Sequence, residues 1–179
     1  MSVPEIFHSG PAALISALYD ELKIGRTIDE MVRWDEAQCR MSPGERIKAL
    51  VINIFGRKRP LYRIDESYEH MDLENLFGRG ISLENLTDYN LAHALDKLAE
   101  RGPHEVFSTL CLRAICHEQI VLKYLYSDTT SISVHGDYEY AEATDPDFFI
   151  TFGLSKDKRP DLKQFLYGLS VTEDKIPVA

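Results

Sequence analysis

The chain has 179 residues, 20 Lys+Arg against 29 Asp+Glu and a formal net charge of −9, room for one full domain or two small ones. No apolar run approaches the ~20 residues that span a bilayer, no secretory signal opens the chain, and the acidity excludes coating nucleic acid by bulk charge. Three cysteines, Cys39, Cys111 and Cys116, are too few and of the wrong parity for a disulfide framework, which points to a reducing, cytoplasmic setting.

From residue 11 to about 119 the apolar spacing is helical. Pro11 opens a run in which Leu14, Leu18 and Leu22 recur at i, i+4 and i+8, one stripe of an amphipathic helix. Ile28 to Trp34 gives a second, short helical pattern. Ser42-Pro43-Gly44-Glu45 reads as a capping box with proline at the first helical position, where no amide is needed. That helix turns Ile47, Leu50, Val51 and Ile54 inward and stops at Gly56. A further helix is expected after Pro60 through Leu61, Ile64 and Tyr68. Thr87 caps a helix holding Leu91, Ala94, Leu95 and Leu98, which ends at Gly102-Pro103. The last helix runs from about Pro103 to Glu118, with Val106, Phe107, Leu110 and Ala114 on one face.

After residue 120 the pattern becomes strand-like. Val121 to Tyr126 leads into Ser127-Asp-Thr-Thr-Ser-Ile-Ser-Val134, rich in β-branched and aromatic residues. Gly136 to about Pro160 is polar and reads as a long loop. Phe165 to Thr172 is a second strand, Glu173-Asp174-Lys175 a turn, and Ile176 the start of a third strand. The expected fold is therefore α+β or α/β: a helical domain over residues 1–120, followed by the opening strands of a second, incomplete domain over 121–179. A hairpin and one further strand cannot cover both faces of a sheet.

Asp128 is the most informative single residue. A carboxylate among strand residues is costly unless it is exposed, hydrogen-bonded or bound to a metal. Hard oxygen ligands at strand positions suit Mg²⁺, and such carboxylates serve two-metal phosphodiester chemistry. The bland alternative is a turn-forming Asp bonded to nearby amides. Gly56 to Arg63 carries Arg57, Lys58, Arg59 and Arg63 with no acid, a candidate phosphate-contacting loop or an ordinary basic connection between helices. Ser155 to Gln164 mixes Lys156, Lys158, Arg159 and Lys163 with two acids, a balance suited to a polar network. Cys111 and Cys116 sit five apart on one helix with no partner pair, so a buried structural thiol pair is expected rather than a metal site. There is no P-loop, dinucleotide fingerprint or nucleophile elbow.

Ser127-Asp-Thr-Thr-Ser-Ile-Ser-Val-His-Gly136, Ile150 to Phe165, Gly168-Leu-Ser-Val-Thr172 and Ile176-Pro177 together resemble DDE transposases of bacterial and archaeal insertion sequences. The resemblance is to the IS-four superfamily branch with a helical N-terminal domain of unknown function. Arg59-Pro-Leu-Tyr62, Leu73 to Gly78 and Leu91 to Leu98 extend it through the first 120 residues. The resemblance implies an RNase H-like catalytic domain in which three acids hold two Mg²⁺ ions and activate water, then a DNA 3′-hydroxyl, for in-line attack.

By that resemblance Asp128 is the first acid, both catalytic and metal-binding. The second Asp and the final Glu have no counterpart in these 179 residues, and Lys158 stands where the family often has His. The expectation is a truncated, inactive transposase fragment, with element-end DNA as partner through Arg57, Lys58, Arg59, Arg63, Lys156, Lys158, Arg159 and Lys163. A homodimer or a full-length transposase is the expected protein partner, and no membrane is involved. The alternative is a non-catalytic DNA-binding or dimerisation module that regulates transposition. A phosphatase-type reading of Asp128-Thr-Thr130 as nucleophile wants a second carboxylate where Thr130 stands.

Overall fold

The computed structural model describes residues 7–136, 149–153 and 158–178. Two compact units divide the chain, Met1–Gln119 and Ile120–Ala179. The architecture is α+β. Among the described residues, six α-helices form the first unit and a three-stranded antiparallel sheet forms the second.

The helices are α1 (Ala12–Glu21), α2 (Ile24–Met31), α3 (Pro43–Phe55), α4 (Leu73–Phe77), α5 (Asp88–Arg101) and α6 (Pro103–His117). The α3 helix starts where the local chemistry demands. Ser42 Oγ accepts the Glu45 amide at 3.1 Å, and Glu45 Oε2 accepts the Ser42 amide at 2.8 Å. Two amides that the helix start leaves without partners are thus satisfied reciprocally. This helix packs against α1, α2 and α5, so it buries polar as well as apolar residues: Ala49 and Ile52, but also Arg46, Lys48 and Asn53.

Ala49 and Ile52 join Met41, Ile64, Tyr68, Leu76, Phe77, Leu86 and Leu91 in the main core. Full burial of each large aliphatic side chain there stabilises by roughly 1.5–3 kcal/mol. The Tyr68 ring meets Phe77 edge-on at 5.8 Å, and its hydroxyl donates to the Ala49 carbonyl. A second cluster joins Ile28, Val32 and Val106. Between α2 and α3 the backbones nearly touch: a Cβ on Gly44 would lie 2.3 Å from the Gly25 carbonyl oxygen.

Several facing expectations are corrected. Leu14 and Leu18 are 65% and 49% exposed; α1 instead turns Ala12, Ser16 and Tyr19 inward. Small residues let α1 approach, and Tyr19 spends its hydroxyl on the Gly44 carbonyl at 2.8 Å. Ile54, Leu95 and Phe107 are likewise exposed, and Ile52 and Ile115 take the buried positions. The second helix lies earlier than its Ile28–Trp34 pattern, over Ile24–Met31. After Pro60 there is no α-helix but two 3-10 turns, Leu61–Arg63 and Asp65–Ser67. Asn53 holds this loop in place of helical bonds. Its Nδ2 donates to the Arg59 carbonyl at 2.8 Å, and its Oδ1 accepts the Arg59 amide at 3.0 Å and the Ser67 hydroxyl at 2.8 Å.

In the second unit β1 (Leu125–Val134) pairs along its whole length with β3 (Lys163–Thr172), which also pairs with the short β2 (Thr151–Phe152). The β2 strand lies inside the stretch expected to be loop throughout. Beyond a turn, Pro177 bridges to Val171, and the Val178 amide donates to the Ser170 carbonyl at 2.9 Å. Residues directly opposite share a face. One face therefore carries Ser127, Thr129, Ser131 and Ser133 with Ser170, Gly168, Leu166 and Gln164; the Ser127 and Ser170 hydroxyls meet at 2.7 Å. The other carries Tyr126, Asp128, Thr130, Ile132 and Val134 with Val171, Leu169, Tyr167 and Phe165.

Candidate functional site

Asp128 stands mid-strand in β1, opposite Leu169 on the apolar face of the sheet. It is exposed, so the charge keeps its water. Its Oδ1 accepts the Thr129 amide at 2.8 Å, which fixes the carboxylate. One carboxylate does not make a two-metal site. Among the described residues no three His, Cys, Asp or Glu side chains gather to hold a metal ion. A single carboxylate supplies at most one ligand to a metal ion, and no reaction step runs through it alone.

The basic loop is less cationic than its sequence. Glu66, just beyond the stretch, draws three of its arginines together. Arg63 Nη2 donates to Glu66 Oε2 at 2.9 Å, Arg59 Nε lies 3.5 Å from the same carboxylate, and Arg57 Nη1 donates to the Glu66 carbonyl at 3.2 Å. The Arg63 guanidinium holds the Glu66 carboxyl below its usual range. Lys58 remains exposed, with a left-handed backbone at φ 52°. Such exposed pairs add little to stability, but they lower the charge the loop offers to phosphate.

In the second unit Arg159 and Asp161 form a two-bond pair at 2.8 and 2.6 Å, and the arginine holds Asp161 at about 2. Lys163 lies 5.9 Å over the Phe152 ring. Lys158 is exposed, and Lys156 lies outside the described residues. Asp128 belongs to the second unit and the 57–63 loop to the first. The expected pair of buried thiols is corrected, because Cys116 is exposed and Cys111 partly so. Burial still pushes the Cys111 thiol up.

A cleft of about 1060 Å³, bounded by α1, α2, α3 and α4, has no local signal in the sequence. Lys48, 6% exposed, reaches its floor, donating to Asp20 Oδ2 at 2.7 Å and to the Leu76 carbonyl at 2.8 Å. Asp29 Oδ1 accepts the Gly44 amide at 2.8 Å. Burial raises the Asp29 carboxyl; burial and then the charge of Asp29 raise Glu45. A carboxyl whose folded pKa is raised binds more protons folded than unfolded, between the two values. Its cost is absent below the unfolded value and fully present above the folded one. The contribution of these two groups to stability is therefore expected to fall as pH rises out of the acidic range. Urea unfolding across that range checks this. Asp29→Asn with Glu45→Gln, which keeps both acceptors, is expected to flatten the profile; an unchanged profile contradicts it.

The family model for a domain of unknown function, DUF4277, matches residues 4–112, nearly all of the helical unit. No curated protein and no solved structure matches the chain.

Proposed function

The chain belongs to the family of the domain of unknown function DUF4277, and from that premise we propose that it is a protein of the insertion-sequence DDE transposase lineage, acting in DNA transposition. The helical unit is its DNA- or transposase-contacting part, and the sheet is the opening of an RNase H-like domain. The observation that carries this is the setting of Asp128. It is an exposed mid-strand carboxylate followed by Thr129, Thr130 and Ser131, on a ten-residue strand paired throughout with β3. The sheet supports the same reading: β1 pairs antiparallel with β3, and the chain returns to β3 at Pro177.

Asp128 is then one metal ligand. The Thr129 amide orients the carboxylate through Oδ1 and leaves Oδ2 for the ion. When bound, a pair of Mg²⁺ ions supplies charge stabilisation to a phosphodiester under in-line attack. The other two carboxylates come from outside these 179 residues. A second role stands beside it as the alternative, that of a non-catalytic regulator that competes for DNA or for a transposase partner.

The locus tests the lineage. The DNA around the gene is expected to carry terminal inverted repeats, and the DNA after codon 179 to encode, in frame or shifted, a strand-borne Asp and a helix-borne Glu. A locus with neither feature overturns the proposal.

A further inference from the structure

A groove of about 620 Å³ runs between α2 and α6, lined by Lys23, Arg26, Glu30, Leu112, Arg113 and His117. Its centre is one carboxylate shared by two guanidinium groups. Arg26 Nε donates to Glu30 Oε1 at 2.9 Å, and Arg113 Nη1 donates to Glu30 Oε2 at 2.8 Å. Arg113 also donates to Thr27 Oγ1 at 2.9 Å, which steadies its head. Two arginines from different helices thus each give one hydrogen bond to the same anion, on its two oxygens. Lys23, at the start of α2, adds a third cation from a left-handed backbone at φ 55°. Glycine takes that conformation freely; a residue with a side chain does not.

In a chain of net −9, two arginines on one carboxylate, with Lys23 lining the same groove, form a locally positive concavity. The 57–63 loop is also answered by a single glutamate, but three of its arginines are drawn to that one residue. A phosphodiester offers two acceptor oxygens to a guanidinium fork, as a carboxylate does. Such a group can therefore take the place of Glu30 between Arg26 and Arg113.

We propose that the α2–α6 groove holds the phosphate backbone of duplex DNA. Arg26, Arg113 and Lys23 contact phosphates, and Glu30 is an internal competitor that moderates affinity. This rests on the proposed DNA-handling role and assigns its surface. Phosphate contacts of this kind position the duplex and carry no sequence information.

The test is binding of the full chain to a mixed-sequence DNA duplex, followed by fluorescence anisotropy over a range of salt. Glu30→Gln is expected to tighten binding several-fold, a gain that a merely structural Glu30 does not give. Arg26→Ala with Arg113→Ala is expected to lower the slope of log affinity against log salt by about 2. Lys23→Gly relaxes the backbone, so it is expected to weaken binding without lowering the melting temperature. Charge reversal at Arg57, Lys58 and Arg59, the other candidate phosphate contacts, is the comparison, and the tightening by Glu30→Gln is expected to persist in that background. Binding that is unchanged in folded Glu30→Gln, or lost only on reversal of the 57–63 loop, overturns the groove while leaving DNA handling intact. No binding by the unaltered chain at low salt also overturns the groove; the lineage is decided separately by the locus.

Discussion

Gly44→Ala is expected to destabilise the helical unit by about 3 kcal/mol, the upper end of the usual cost of overpacking. Helix propensity alone favours the change by roughly 0.5–1 kcal/mol, so the sign depends on packing. The added Cβ would lie 2.3 Å from the Gly25 carbonyl oxygen and 2.6 Å from the Gly25 carbonyl carbon and Cα. All three are backbone atoms, so no rotamer change relieves the contact and α2 must move off α3. That movement also pulls on the Tyr19 hydroxyl and the Asp29 carboxylate, both bonded to Gly44. Gly25→Ala is the control. Its nearest neighbour is the Tyr19 ring at 3.1 Å, a side chain with freedom to yield, and its cost is expected to be clearly smaller. Urea unfolding with an unchanged m-value measures both. Equal midpoints for Gly44→Ala and the unaltered chain contradict the close α2–α3 packing.

The pair Asp20–Lys48 is expected to show an unequal response. Lys48 is 6% exposed at its side chain and Asp20 64%. Asp20→Ala leaves a buried ammonium with only the Leu76 carbonyl and is expected to cost about 3 kcal/mol, the lower end for breaking a buried pair. Lys48→Met removes the buried charge itself. Asp20 then returns to water, and the thioether keeps contact with Phe77, whose ring lies 5.9 Å from the ammonium. That change is expected to stay within about 1 kcal/mol, the worth of one ordinary hydrogen bond. Thermal and urea unfolding of the two variants decide it. The reverse order contradicts the burial of Lys48.

These two predictions mark where the sequence was legible and where it was not. Helix ends were legible because their causes are local. Ser42 and Glu45 cap each other three residues apart, Thr87 accepts the Asn90 amide at 3.3 Å, and Gly102 takes a positive φ of 96°. Helix faces were less so. The leucines of α1 have the right period but point outward, because a tyrosine with a distant carbonyl partner takes the inward stripe. Nothing local shows that Lys48 is buried, that Gly25 meets Gly44, or that Asn53 substitutes for the helix after Pro60.

The candidate sites divide in the same way. Asp128 drew attention because a carboxylate within a strand pattern is a local signal, and it does stand mid-strand in β1. The softening of the basic loop by Glu66 was missed because that glutamate lies three residues past the stretch that drew attention. The α2–α6 groove was invisible: Arg26 and Arg113 are 87 positions apart, and only folding sets them on either side of Glu30.

The central claim is that Asp128 is one of the acids of a DNA-transposition centre. The direct measurement is excision of a selectable marker placed between the inverted repeats expected to flank the gene, with the chain expressed together with the DNA that follows its coding sequence. Asp128→Asn changes no packing contact and retains an acceptor for the Thr129 amide, so abundance and melting temperature are expected to hold. Excision is expected to fall to background. Excision that proceeds at the unaltered rate with Asp128→Asn would contradict the account.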